Sequence, residues 1–94
     1  MNTIVETILS GGFAEFSYRG ENYLIQQEST KGCHYLSLWR VTPKAACLRR
    51  VCFDVFDGVS EETVEELLDQ PLSDGHTVRD MIQSPELIPA VRDP

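Results

Sequence analysis

The sequence predicts an α+β fold: a four-stranded antiparallel meander with a short N-terminal helix and two short C-terminal helices packed on one face. Two observations predict this class. Aromatic and β-branched runs separated by turn residues fill the middle of the chain, and apolar residues with helical spacing lie on either side of it. Helices on both sides of a run of strands favour an antiparallel sheet with the helices on one face.

The first helix is predicted by apolar residues that share one side of a helix, namely Ile4, Val5, Ile8 and Leu9. Asn2 can cap its start, and the glycine pair at 11–12 ends it. The strands are predicted from runs at 13–18, 22–27, 34–41 and 48–56. Gly20 can supply the positive φ of the first tight turn. In the last run Val51 and Phe53 alternate with Arg50 and Cys52, which is the clearest strand signal.

The two later helices have recognisable starts. Ser60 is a good N-cap for a helix over 61–69, whereas Thr63 occupies the position where a capping box usually has Glu. Thr77 and Asp80 give a capping-box-like start to the second, shorter helix. Their apolar positions are Val64, Leu67 and Leu68 in the first helix and Val78, Met81 and Ile82 in the second.

The 94 residues predict a single domain over 1–84, followed by a proline-rich tail over 85–94. The tail is expected to be extended and either to dock through Leu87 and Ile88 or to fray.

The charge is acidic and uneven. A net charge of −7 argues against direct nucleic-acid binding, which requires an excess of Lys and Arg. Residues 1–50 carry +2 and residues 51–94 carry −9. The acidic half raises one hypothesis, a mimic that occupies a nucleic-acid-binding protein. It also suggests salt-sensitive self-association, in which a basic turn of one copy meets the acidic helix of another.

The cysteines and the apolar segments bear on location. Cys33, Cys47 and Cys52 form an odd set, unlike a secreted disulfide scaffold, so reduced thiols are expected. The N-terminal residues lack the basic start of a signal peptide, and no apolar run is long enough to span a membrane. The sequence therefore predicts a cytoplasmic protein with no membrane partner.

The sequence predicts no catalytic residue, no metal site and no cofactor, although it leaves enzymatic activity open. Asp54 and Asp57 are spaced by three residues, unlike the paired aspartates of phosphotransferases. No Cys or His pair has the spacing that seeds a zinc site. Cys33 and His34 are adjacent on a strand, so their side chains are expected on opposite faces.

Two groups of residues are predicted to bind partners. The first is aromatic, because an antiparallel sheet with helices on one face leaves some rings on the other: Tyr18, Tyr23, Tyr35 and Trp39. The second is a basic cluster for an anion or an acidic partner: Arg40, Lys44, Arg49 and Arg50. The rings can instead fill the core, and the bases can instead protect a sheet edge.

Three segments carry a family resemblance: 15–25, with its aromatic hairpin Glu-Phe-Ser-Tyr-Arg-Gly-Glu-Asn-Tyr-Leu-Ile; Glu65-Glu66-Leu67-Leu68; and 74–82, Asp-Gly-His-Thr-Val-Arg-Asp-Met-Ile. Through these three segments, the chain up to Ser84 resembles small uncharacterised bacterial proteins. In those proteins an aromatic hairpin precedes a helix, and a segment like 74–82 follows the helix. The resemblance implies the order of elements but transfers no activity and no residue role.

The function favoured by the sequence is a non-enzymatic module that binds a protein partner or forms a homodimer through the open sheet face and the basic turn. The alternative from another class is a small enzyme or ligand-binding domain in which four side chains line a pocket: Cys33, His34, Arg40 and His76.

Overall fold

The structure is a computed structural model that describes residues 3–11, 13–42, 44–54, 56, 58–72 and 75–89. In chain order the elements are α1 (Thr3–Gly11), β1 (Phe13–Tyr18), β2 (Glu21–Thr30), β3 (Cys33–Thr42), β4 (Ala46–Phe53), α2 (Glu61–Leu68), α3 (Val78–Ile82) and β5 (Leu87–Pro89). The predicted α+β class, the antiparallel sheet and the helices on either side of it in sequence are confirmed.

The number of strands is corrected from four to five. The sheet order is β4-β3-β2-β1-β5, so the predicted meander is present and β5 is added beside β1. β5 falls in the segment that the sequence assigned to the tail. Leu87 pairs with Tyr18 and packs against the core, and Pro89 is tolerated because an edge strand leaves one side of its backbone unpaired. The rest of the predicted tail, 90–94, lies outside the described residues.

The core lies between the helices and one face of the sheet. The helices contribute buried side chains, among them Ile8, Val64, Leu67 and Val78, each 0% exposed. The sheet contributes alternate residues, namely Ala14, Phe16, Ile25, Leu36, Leu38 and Val51. This alternation follows from the strand geometry, in which successive side chains point to opposite faces.

The tight turns between β1 and β2 and between β2 and β3 are alike. Arg19 and Gly20 have φ of 50° and 80°, and Lys31 and Gly32 have 49° and 81°. Positive φ at two successive turn residues matches the right-handed twist of the flanking strands. The expected role of Gly20 is confirmed, and each turn has a non-glycine residue in the left-handed region.

The helix starts are more regular than the sequence suggested. Thr63 substitutes for the expected Glu, because its hydroxyl accepts from the backbone N–H of Ser60 while the Ser60 hydroxyl accepts from the backbone N–H of Thr63. The absence of Glu therefore does not remove the capping box. Thr77 and Asp80 form the second box as predicted. The predicted cap of α1, Asn2, lies outside the described residues.

The Asp80 carboxylate makes stability at the start of α3 depend on pH. Its hydrogen bond from the backbone N–H of Thr77, 3.0 Å long, lowers its pKa below the usual 3.8. A carboxyl group with a lowered folded-state pKa stabilises the fold above its unfolded pKa, and this contribution is lost as pH falls through the folded value. We therefore expect Asp80→Asn to destabilise the chain at pH 7 and to have a smaller effect at pH 2. Urea unfolding of both chains across this range tests it, and a difference independent of pH would contradict it.

Within the described residues, no helix has both the length and the apolar character needed to cross a membrane.

Candidate functional site

The sheet has one face covered by helices and one face that no described helix covers. We call the second the open face. It consists of outward-pointing residues of all five strands: Phe13, Glu15, Ser17, Leu24, Gln26, Glu28, Cys33, Tyr35, Ser37, Trp39, Val41, Cys47, Arg50, Cys52 and Ile88. Three of its apolar side chains are well exposed, with Phe13 at 38%, Val41 at 45% and Ile88 at 66%.

The four aromatic residues predicted to bind a partner divide between the two faces. Tyr35 and Trp39 lie on the open face, in the middle of β3. Tyr18 and Tyr23 lie on the helix-covered face and pack against the core, and Tyr23 stacks on Phe16 with ring centroids 5.5 Å apart. The partner-binding role of Tyr35 and Trp39 stays a prediction. Tyr18 and Tyr23 have the position of the other alternative, in which the rings pack against the core.

All the cysteines lie on the open face. Cys47 is directly opposite Trp39 and Cys52 directly opposite Tyr35, while Cys33 lies on β3 two residues before Tyr35. All three are free and exposed. Cysteine is among the residue types most often buried, so three exposed thiols beside two aromatic rings are unusual for a surface that stays in water.

A charged pair crosses the open face. Glu28 on β2 and Arg50 on β4 lie on either side of β3, and Arg50 Nη2 is 3.5 Å from Glu28 Oε2. The guanidinium also lies over the ring of Tyr35, 4.9 Å from its centroid. The ion pair and the cation–π contact hold Arg50 flat against the sheet.

Polar atoms beneath this pair lack hydrogen-bond partners among the described residues. They are Glu28 Oε2, Ser37 Oγ and Trp39 Nε1. Burial acts to raise the pKa of Glu28, but the nearby Ser37 hydroxyl, Trp39 indole N–H and Arg50 guanidinium outweigh it and lower that pKa. The Ser37, Trp39 and Arg50 side chains therefore hold the Glu28 carboxylate in its charged form.

The Tyr35 hydroxyl is perturbed by its neighbours in the opposite direction. A hydrogen bond with the Cys33 side chain, together with electrostatic repulsion from Cys33, raises the pKa of Tyr35, and Cys52 contributes a smaller effect. Tyr35 therefore stays neutral at physiological pH and lies between two thiols.

The predicted basic cluster is dispersed by the structure. Arg50 is on the open face, whereas Arg40 belongs to the helix-covered face, 3.7 Å from Glu21. Arg49 donates to the backbone carbonyl of Pro71 at 2.6 Å, and Lys44 is exposed in the turn before β4. A bulge in the β3–β4 pairing contributes to this separation, because it changes the alternation before Arg49. The four side chains do not form one basic surface.

The helix-covered face has a cleft at the end of the sheet that holds the β1–β2 turn. Two adjoining cavities of about 340 Å³ and about 260 Å³ share Tyr18, Arg19, Leu72 and Met81. Each cation at the rim already has a carboxylate close by: Arg19 pairs with Glu86, Arg40 with Glu21, and His76 with Asp80. The positive charges of the cleft are therefore already balanced by neighbouring carboxylates.

The pocket of the alternative hypothesis is only half assembled. Arg40 and His76 line the two cavities of the cleft. Cys33 and His34 lie at the other end of β3, roughly 20 Å away at about 3.3 Å per residue. Cys33 points to the open face, whereas His34 contacts Phe53 on the helix-covered face, with ring centroids 5.9 Å apart. In the described part of the chain, no group of three or more Cys, His, Asp or Glu side chains is arranged to hold a metal ion.

The acidic run of α2 is partly neutralised. Arg79 of α3 donates to the carboxylates of Glu65 and Asp69, and the hydrogen bond with Glu65 is the main reason that the pKa of Arg79 is raised. Glu61, Glu62 and Glu66 stay exposed along α2. The mimic hypothesis and the basic-turn hypothesis both stay predictions.

Sequence reasoning missed Glu28 and Ser37 as members of the open face. The strand prediction for β2 stopped at 27, so Glu28 lay just outside it. The alternation of large residues in 34–41 was only partial because Ser37 is small and polar, yet it is 0% exposed. The available signal was that Glu28 directly follows the predicted strand over 22–27, so a slightly longer strand would have included it.

No model of a known protein family matches the chain, and no curated protein and no solved structure matches it. The resemblance to small uncharacterised bacterial proteins stays a prediction.

Proposed function

We propose that this protein is a non-enzymatic interaction module that associates with a second copy of itself through the open face. The observation that carries the proposal is the concentration of Trp39, Tyr35 and all the cysteines on the sheet face that no described helix covers. Trp and Tyr are the usual anchors of protein interfaces, and burial is the usual environment of cysteine.

The distribution of charge supports a second copy as the occupant. The chain carries a net charge of −7, so two copies repel each other over most of their surfaces. The charged residues of the open face are only Glu15, Glu28 and Arg50 among the described residues, and two of these pair with each other. Two copies that meet through this face therefore bring few like charges together.

The size of the face also suits a dimer. At about 4.8 Å between strands and about 3.3 Å per residue, the strands β2, β3 and β4 alone cover roughly 440 Å² in projection. The accessible surface of packed side chains exceeds their projection. A stable interface buries about 800 Å² on each partner, so the open face is of the required order.

Association through the edge of β4 is less favoured than association through the open face. An edge strand can pair with another chain only through its unpaired backbone groups. On β4 the carbonyl of Leu48 accepts from Arg49 Nη1, and the carbonyl of Arg49 accepts from the Cys47 thiol at 3.8 Å. These contacts and the bulge beside them oppose the addition of another strand.

The solution mass, measured by light scattering on a size-exclusion column at low and high salt, tests the proposal. We expect twice the chain mass of 10.6 kDa, with little change at high salt because the face is mainly uncharged. Alkylation of Cys47 and Cys52 should be slower at concentrations where the dimer forms.

Two outcomes would contradict this proposal. A monomer at concentrations on the order of 100 μM, with all thiols alkylated at the same rate at every concentration, would exclude self-association and leave the open face to a different protein. A dimer that dissociates at high salt would indicate that charged surfaces, such as α2 and the basic residues, hold the copies together instead.

A further inference from the structure

The open face has a charge pattern that distinguishes between two-fold axes along different strands. We propose that the two copies are related by a two-fold axis that runs along β3, so that Glu28 of each copy pairs with Arg50 of the other. This inference rests on the proposed self-association and adds its geometry and the residues that determine its specificity.

The positions of the two charges follow from the strand register. On the open face Glu28 is opposite Tyr35 on one side of β3, and Arg50 is opposite Ser37 on the other side. A two-fold rotation about β3 exchanges the two sides, so β2 of one copy faces β4 of the other. Glu28 of one copy then lies near Arg50 of the other, and the two positions differ by two residues along the strand. Within one chain the same two side chains already reach across β3 to 3.5 Å, so they are long enough to span that offset.

Axes along the neighbouring strands bring like charges together. An axis along β2 places Glu28 against its own copy, and an axis along β4 does the same for Arg50. Like charges that face each other across an interface cost several kcal/mol. An axis along β3 instead places Tyr35 and Trp39 against their own copies, which puts the largest rings at the centre of the interface, where anchor residues cluster.

The exchange of the charged pair replaces contacts that one chain makes by itself. The side chains of Arg50 and Glu28 are 44% and 24% exposed, and Glu28 Oε2 is buried 3.5 Å from Arg50 Nη2. An interchain pair requires that Arg50 turns away from its own sheet and gives up its contacts with Glu28 and with the ring of Tyr35. An isologous dimer forms the pair twice, so a change to one residue affects both pairs.

Charge-reversal variants test the geometry. Glu28→Arg and Arg50→Glu should each raise the dissociation constant of the homodimer at least about 10-fold, because both interchain contacts become repulsive. An equimolar mixture of the two variants should form a heterodimer with about the wild-type dissociation constant, because both contacts are attractive again. The chain that carries both changes should also form a homodimer. Light scattering gives the masses, and circular dichroism shows that each variant is folded.

Glu15→Arg is the matched control, because Glu15 is the other acid of the open face and lies on β1 outside the overlap that an axis along β3 creates. It should dimerise like the wild type and should not rescue Arg50→Glu. Rescue by Glu15→Arg, or a mixture of Glu28→Arg and Arg50→Glu that stays monomeric while the wild type is a dimer, would overturn the axis alone. A wild-type monomer would overturn self-association itself, so the two failures are distinguishable.

Discussion

Replacement of Trp39 by Ser is expected to raise the dissociation constant of the dimer by roughly 100-fold, because truncation of a central aromatic anchor costs about 2 to 4 kcal/mol. Trp39 lies on the open face opposite Leu24 and Cys47. The dilution series that gives the solution mass of the wild type measures the change directly.

Phe56→Ser is the control for the loss of an exposed aromatic ring. Phe56 is 95% exposed and lies between β4 and α2, outside the strands that form the open face. It should leave the dissociation constant unchanged, whereas Tyr35→Ser should weaken the dimer as Trp39→Ser does. If Trp39→Ser and Tyr35→Ser both fold and both associate like the wild type, the open face is not the interface.

Replacement of Phe16 by Ala is expected to have the largest effect on stability, with a loss of about 3 to 5 kcal/mol in the free energy of unfolding. Phe16 is 2% exposed and stacks on Tyr23 beneath the helices. The loss combines the buried apolar surface, the cavity that remains and the ring contact. Because small domains are stable by only about 5 to 15 kcal/mol, a large part of the variant is expected to be unfolded in mild denaturant.

Phe13→Ala offers a matched comparison on the same strand. Phe13 is 38% exposed and points to the open face, whereas Phe16 points to the core. The same chemical change should therefore cost less than about 1 kcal/mol at position 13. Urea unfolding at a concentration where the chain is monomeric compares the two, and equal losses would show that the open face is packed like the core.

The two proposals make different demands on the surface. Self-association requires only that the open face is apolar enough and large enough, while the axis along β3 depends on Glu28 and Arg50 in particular. The cleft around Tyr18 and Arg19 is on the opposite face of the sheet, so variants of the open face leave its residues unchanged.

The fold class and most element positions could be predicted from the sequence because they depend on local patterns. The spacing of Ile4 and Ile8, the alternation around Val51 and the caps at Ser60 and Thr77 are each carried by residues a few positions apart. Such patterns act through backbone geometry and hydrogen bonds within one or two turns, so they do not require knowledge of distant contacts.

The fifth strand and the two faces of the sheet required the tertiary structure. β5 has only three residues, and its strand conformation depends on pairing with β1, more than 60 residues earlier in the chain. Tyr18 and Tyr35 are both tyrosines in predicted strands, so the sequence does not distinguish them. Only the placement of the helices decides which ring is covered.

The sequence by itself determined an acidic α+β domain with capped helices and an antiparallel meander, because composition, periodicity and capping are local properties. Only the tertiary structure decided which aromatic and charged side chains meet. It brought Glu28 and Arg50 together across β3 and separated Arg40 from Arg50, because side-chain neighbours across a sheet depend on strand register and bulges rather than on distance along the chain.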